Sequence, residues 1–161
     1  MAEASPYRSL PAATRQRLIE HELGADKSAR QAYIKAIVSK GGGFRPETLR
    51  KWPPAQLARE VVRRNLETFG DELRLLQLLY VELEPELQIA FLDACGVKHT
   101  NGSIDDEGDE DAALADEATV RKAADALISA HGDRGRHYLR TIAAYNSEAW
   151  PGLRQQLGMA G

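Results

Sequence analysis

The densest group of potential metal ligands in this sequence is an acidic run. Residues 105–111 read DDEGDED and hold six carboxylates, the kind of oxygen ligand that an EF-hand loop offers to calcium. With Gly108 at the glycine position of such a loop, its last position is Leu114 instead of the required glutamate. The register that starts at Asp105 has glutamate where glycine belongs. Because both registers fail, we predict no metal site and interpret residues 98–115 as an acidic flexible loop.

Histidine, cysteine and glycine residues also form no recognisable catalytic or cofactor motif. No two of the four histidines have the HExxH spacing, and Asp133 and His137 stand four apart, so we expect them to pair on a helix surface. Gly41–Gly43 lacks the lysine and hydroxyl residue of a phosphate-binding loop, and we interpret it as a helix terminator. Cys95 falls on an apolar helical face, where a thiol behaves as a small hydrophobe. We therefore predict no cofactor and assign no catalytic residue, although an enzyme whose active site is assembled from distant residues stays an alternative.

Six basic residues in the first half of the chain are the candidates for a nucleic-acid site. They are Arg45, Arg50, Lys51, Arg59, Arg63 and Arg64. Residues 1–70 carry 13 Lys/Arg against 7 Asp/Glu, whereas residues 71–161 carry 8 against 17, and a basic half can bind phosphates. However, Glu60 and Glu67 stand four residues from Arg64 and Arg63, so we expect the helix to neutralise part of this charge.

The most apolar stretch, Asp71–Gly96, predicts two helices that the rest of the chain must cover. Pro85 divides them, because proline lacks an amide hydrogen and clashes with the preceding turn. We expect Asp71 to cap the first helix and Gly96 to end the second one. Leu78 and Val81 lie within the otherwise polar face of the first helix. Either another helix of the same chain covers these two residues, or they form a candidate protein-interaction surface.

Helical periodicity predicts further helices around this central pair. We expect them at about 11–23, 27–40, 46–51, 54–69, 117–130, 134–146 and after Ser147, with caps at Ser9, Asp26 and Asp116. No run alternates with period two, so the predicted fold is all-α. We expect a single domain over residues 1–161, a bundle of about seven to nine short helices around Asp71–Gly96.

The composition excludes a disordered chain and gives no sign of a membrane protein. Hydrophobic residues make up 43% and charged residues 28%, as in folded globular proteins. No apolar run approaches the ~20 residues of a membrane span, and the first residues lack the apolar core of a signal peptide, so we expect a cytoplasmic location and no membrane partner. The leading hypothesis is a non-enzymatic helical module that binds another protein or itself. The alternative is a nucleic-acid-binding module that uses the basic half.

Overall fold

Helices account for most of the structure, a computed structural model that describes residues 4–41, 43–104 and 112–160. The α-helices are α1 (Ala12–Ala25), α2 (Lys27–Ser39), α3 (Pro46–Arg50), α4 (Pro54–Arg63), α5 (Phe69–Gln77), α6 (Pro85–Cys95), α7 (Glu117–His131), α8 (Asp133–Tyr145) and α9 (Leu153–Gln156). A π-helical segment (Leu78–Leu83) follows α5, and a 3₁₀ turn (Ser147–Ala149) follows α8. Within the described ranges the β structure is one antiparallel pair, β1 (His99–Thr100) and β2 (Ser103–Ile104). The predicted all-α class is confirmed.

The described chain separates into two compact units. The N-terminal unit comprises residues 10–76, and the C-terminal unit comprises residues 4–9, 77–104 and 112–160. The single domain over 1–161 stays a prediction. The acidic residues 105–111, on which the predicted loop and the rejected calcium registers depend, lie outside the described residues. Among the helices that the structure describes, none is long and apolar enough to cross a bilayer.

The N-terminal unit packs α1, α2 and α4 around an aliphatic core. Its fully buried side chains include Leu18, Ile19, Ile37, Leu57 and Val61. Asp26 caps α2, since its carboxylate accepts from the Ser28 amide at 2.8 Å, as predicted. Ser9 does not cap α1. That helix begins after Pro11 without a side-chain cap, and the Ser9 hydroxyl donates to the Ser5 carbonyl instead.

The helix predicted over 54–69 is shorter in the structure, and residues 64–68 separate it from α5. It ends at Arg63, because Asn65 takes a left-handed φ of +52° that no α-helix continues. Thr68, not Asp71, caps the next helix. The Asp71 amide donates to the Thr68 hydroxyl, and the Asp71 carboxylate accepts from the Thr68 amide, a reciprocal capping box. Phe69, which the longer helix would have buried, is 65% exposed.

The C-terminal unit packs α6, α7 and α8 around aromatic side chains. Phe91 is fully buried and lies edge to face with Trp150, at 5.0 Å between ring centroids, and with Tyr138 at 6.1 Å. Gly96 ends α6 in the left-handed conformation (φ +71°), as predicted. Gly135 lets α8 approach α7 closely, because a Cβ there would lie 2.8 Å from the Leu127 carbonyl oxygen.

A short β-hairpin, β1 and β2, lies within residues 98–115, the segment predicted to be an acidic flexible loop. Asn101 and Gly102 form its turn with φ values of +53° and +91°, the conformation that the Asn-Gly pair favours in two-residue hairpins. His99 fixes this turn, since its Nδ1 accepts from the Gly102 amide at 3.0 Å and its Nε2 lies 2.6 Å from an Asp93 carboxylate oxygen. The Asn-Gly signal was present in the sequence, but the strands of two residues are too short to show a period.

Candidate functional site

The six basic residues predicted as a nucleic-acid site are not equivalent in the structure. Arg45, Arg50 and Lys51 are exposed around α3, and Arg59, Arg63 and Arg64 lie at α4 and its C-terminal end. Glu60 accepts from Arg63 at 2.9 Å and from Arg64 at 2.8 Å, and these hydrogen bonds lower the pKa of its carboxyl group. The prediction of an Arg63–Glu67 pair is wrong, because α4 ends before Glu67. The Glu67 carboxylate binds Arg15 instead. The charge at α4 is therefore partly neutralised.

A groove between α2 and α3 is a more distinctive feature of the N-terminal unit than the six basic residues. It encloses about 530 Å³, within the range of ligand pockets. Its lining residues are Lys27, Arg30, Gln31, Ile34, Lys35, Val38, Ser39, Pro46 and Arg50. Arg50 alone among the six predicted basic residues belongs to this set. The groove is thus built mainly from one face of α2.

Arg30 holds the two walls of the groove together. Its guanidinium group donates to the carbonyl oxygens of Arg50, at 3.0 Å, and Trp52, at 2.7 Å. Trp52 in turn lies edge to face with Phe44, at 4.8 Å between ring centroids, so aromatic residues on both sides of α3 contact each other. These contacts fix α3 against α2 and give the groove a defined shape.

The groove combines an apolar floor with a basic rim. Ile34 is 6% exposed, and Val38 is 36% exposed. Four of the lining residues are lysine or arginine, and none of the described lining residues is acidic. Such a surface attracts a ligand that is both negatively charged and apolar. One sign of it is visible in the sequence, because Val38 extends the apolar stripe of α2 past the buried Ile34.

Leu78 and Val81 lie in the π-helical segment of the C-terminal unit. Leu78 is half-buried, whereas Val81 is 52% exposed. A π-helix advances by more residues per turn than an α-helix, so the 100° spacing used for the sequence does not describe this segment. The interpretation that the chain covers both residues is wrong for Val81. Their role in binding a partner stays a prediction.

The prediction that His137 pairs with Asp133 on a helix surface is wrong. His137 is half-buried and belongs to a different hydrogen-bonded cluster. Its Nε2 lies 2.5 Å from the Pro6 carbonyl oxygen, and its Nδ1 contacts the Tyr80 hydroxyl. Burial lowers the pKa of the imidazole, so the neutral ring donates from Nε2 to Pro6 and accepts at Nδ1 from Tyr80. The His137 ring thereby links the segment of residues 4–9, through Pro6, to Tyr80 of the π-helical segment.

The remaining groups with chemical potential do not assemble into a reactive centre. Burial raises the pKa of the Cys95 thiol to about 11, which disfavours the reactive thiolate. In the part of the chain that the structure describes, no three His, Cys, Asp or Glu side chains converge as metal ligands. The groove of the N-terminal unit is therefore the candidate functional site.

The comparison with known proteins identifies no relative of this chain. No protein-family model, curated protein or solved structure matches this chain. The class that the structure defines is a small all-α protein, and its function has to be argued from its surfaces.

Proposed function

We propose that this protein is a non-enzymatic binding module whose groove between α2 and α3 receives an acidic amphipathic helix of another protein. The observation that carries the proposal is the combination of four basic side chains with an apolar floor, formed by the buried Ile34 and the 36% exposed Val38, in a groove of about 530 Å³. A helix that lays its apolar face in a groove is a recurring mode of peptide recognition.

The apolar floor favours a protein partner over a nucleic acid. A nucleic acid would meet the lysines and arginines with its phosphates, which dominate such binding and make it steeply salt-dependent. It offers no aliphatic surface along its backbone to cover the exposed part of Val38. An amphipathic helix covers the apolar floor with one face and meets the basic rim with carboxylates beside that face.

The shape of α2 defines the expected ligand further. Lys27, Gln31, Ile34 and Val38 follow one another at spacings of three or four residues, so they form a stripe along the helix. Lys35 and Arg50 extend the positive charge beside that stripe. The complementary ligand has aliphatic residues at i, i+3/i+4 and i+7 and glutamates at the flanking positions.

A peptide titration tests the proposal directly. The probe is a fluorescent peptide of about 15 residues, long enough to form a helix, with leucines at i, i+4 and i+7 and glutamates beside them. A scrambled peptide of the same composition and a single-stranded DNA serve as comparison ligands. We expect the amphipathic peptide to bind most tightly and to retain part of its affinity at high salt, because apolar contacts are not screened.

Matched substitutions locate the binding surface. Val38→Asp places a carboxylate on the groove floor, and Val81→Asp places one on an exposed surface of the other unit. We expect the first variant to weaken peptide binding at least tenfold, which corresponds to ~1.4 kcal/mol, and the second to leave it unchanged. Lys35→Glu and the exposed Lys122→Glu form a second pair of the same design. Equal effects of Val38→Asp and Val81→Asp would refute the groove, and tighter binding of DNA than of the peptide would favour the nucleic-acid alternative.

A further inference from the structure

The groove between α2 and α3 has two chemically different ends. Lys27 and Arg30 line it near the N-terminus of α2. Ile34, Lys35 and Val38 line it nearer the C-terminus of that helix. Ile34 is buried and Val38 is 36% exposed, so the second end is mainly apolar, and Lys35 is the one cation that the described part of α2 contributes to it.

The helix α3 adds its charge to the first end. Arg50 is the last residue of α3 and an exposed member of the lining set. Its carbonyl oxygen accepts from the Arg30 guanidinium at 3.0 Å, which fixes it beside that residue. Lys27, Arg30 and Arg50 thus form the cationic end of the groove, and Ile34 and Val38 form its apolar end.

The dipole of α2 acts in the same direction as these side chains. A helix carries a partial positive charge at its N-terminus and a partial negative charge at its C-terminus. Asp26 caps α2 at the cationic end, and its carboxylate accepts from the Ser28 amide at 2.8 Å, so part of the positive charge of the dipole is already used. Other charged residues near the groove include Glu47 on α3 and Lys40 after α2, but neither these two nor Asp26 belongs to its lining set. The cationic lining side chains therefore set the polarity of the groove.

We propose that the groove binds its helical partner in one orientation, with the partner's carboxylates at the cationic end and its aliphatic side chains at the apolar end. This inference rests on the proposed function and adds to it the order of residues along the ligand. The helix α2 spans 13 residues, about 20 Å at the rise of an α-helix. That length is more than twice the Debye length of about 8 Å at physiological ionic strength, so exposed charges at one end contribute little at the other.

The partner that fits such a groove has its acidic and aliphatic residues in different turns. Its glutamates or aspartates are concentrated in about two turns, and its aliphatic residues follow at helical spacing in the next two. In the reverse orientation its carboxylates would lie against Ile34 and Val38, with Lys35 as the cation to meet them. They would lose water without gaining enough charge in return.

A peptide with a nitroxide label locates each end of the ligand on the full chain. The peptide has about 15 residues, long enough to form a helix, with glutamates in one half and leucines at helical spacing in the other. It is labelled at its acidic end or at its apolar end. The readout is the paramagnetic broadening of the backbone amide signals of Ser28 and Ser39, which lie at the two ends of α2.

The two labels should affect opposite ends of α2. We expect the label at the acidic end to broaden the Ser28 signal more than the Ser39 signal, and the label at the apolar end to do the reverse. Similar broadening of both signals by both labels, or the opposite pattern, would overturn the orientation and leave the groove as the binding site. Broadening of neither signal would overturn the groove as well.

Two lysines of α2 supply matched variants, since Lys27 and Lys35 are both exposed and both line the groove. Lys27→Gln should raise the dissociation constant of the peptide about threefold, the effect of an exposed ion pair, and Lys35→Gln should raise it less than about 1.5-fold. On a peptide of the same composition with evenly spaced glutamates, the two variants should weaken binding equally. An equal or larger effect of Lys35→Gln on the first peptide would contradict the orientation, as would the same difference between the variants on both peptides.

Discussion

The two units of this protein are stabilised by different kinds of interior. The N-terminal unit buries charged side chains within its aliphatic core, whereas the C-terminal unit buries an aromatic cluster. The side chain of Glu67 is fully buried and that of Arg15 is 11% exposed, while Phe91 in the other unit contacts two aromatic rings. Apolar periodicity in a sequence can predict an interior of hydrophobic side chains, such as that of the C-terminal unit. It cannot predict the buried charged side chains of the N-terminal unit.

The ion pairs of the N-terminal unit join segments that are far apart in sequence. Arg15 on α1 binds Glu67 at 2.9 Å and donates to the side-chain oxygen of Asn65 at 3.0 Å. Glu22, also on α1, accepts from Arg74 at 2.6 Å and from the Tyr33 hydroxyl at 3.2 Å. Burial and the neighbouring Glu22 raise the pKa of Tyr33, so this tyrosine acts as a donor. Each bond fixes α1 against another segment of the same unit.

The largest effect is expected from the aromatic interior. Phe91→Ala should lower the free energy of unfolding by about 3–5 kcal/mol, because it removes the ring that contacts Tyr138 and Trp150 and leaves a cavity. Urea unfolding followed by circular dichroism measures the change. Phe69→Ala is the matched control, since Phe69 is 65% exposed and its removal should cost well under 1 kcal/mol. Equal losses in the two variants would mean that Phe91 is not a core residue.

The charged interior should respond differently to single and paired changes. Glu67→Gln should cost about 3 kcal/mol or more, because it removes the carboxylate charge that lies 2.9 Å from the buried Arg15 guanidinium. Combining Arg15→Met with Glu67→Leu removes both charges and should recover most of the loss. The same unfolding experiment tests both variants. A double variant less stable than the single one would show that the ion pair itself, and not the cost of an unpaired charge, stabilises the unit.

The sequence predicted the helices, because their apolar faces depend on local spacing. Leu87 and Phe91, in the second helix of the predicted central pair, are both fully buried. The Arg15–Glu67 pair joins residues 52 apart, and no local pattern contains that information. Glu67 was assigned to Arg63 because a continuous helix was assumed, and the left-handed Asn65 that ends the helix depends on tertiary contacts. The groove was also not predicted, because its walls come from two helices and no local pattern shows that these helices lie side by side.

Acid should weaken the C-terminal unit through His137. Its pKa is lowered in the folded state by burial and by the Arg140 charge, against opposing effects of the Pro6 carbonyl and Glu84. The neutral ring is therefore the form that the folded state favours. Its contribution to stability is complete above the unfolded-state pKa of about 6.5 and is lost as the pH falls from there through the lowered value.

Thermal melts across this pH range measure the effect. We expect the melting temperature to fall less steeply with acid in His137→Asn than in the wild-type chain, although the variant is less stable at neutral pH. His21→Asn, at an exposed position, is the control and should keep the wild-type slope. The same slope in wild-type and His137→Asn would show that His137 binds protons equally in the folded and unfolded states and does not cause the loss of stability in acid.

The smallest effect is expected at the surface of the π-helical segment. Val81 is 52% exposed and Val61 in the N-terminal unit is fully buried, so the same substitution compares surface and interior. Val81→Asp should change the free energy of unfolding by no more than about 0.5 kcal/mol, whereas Val61→Asp should unfold its unit, because a buried carboxylate lacks a partner. Light scattering on the Val81→Asp variant tests whether this position contributes to self-association. A stable variant with an unchanged molar mass would exclude Val81 from a homo-oligomer interface. A lower molar mass than that of the wild-type protein would make the π-helical segment a second binding surface, in addition to the groove.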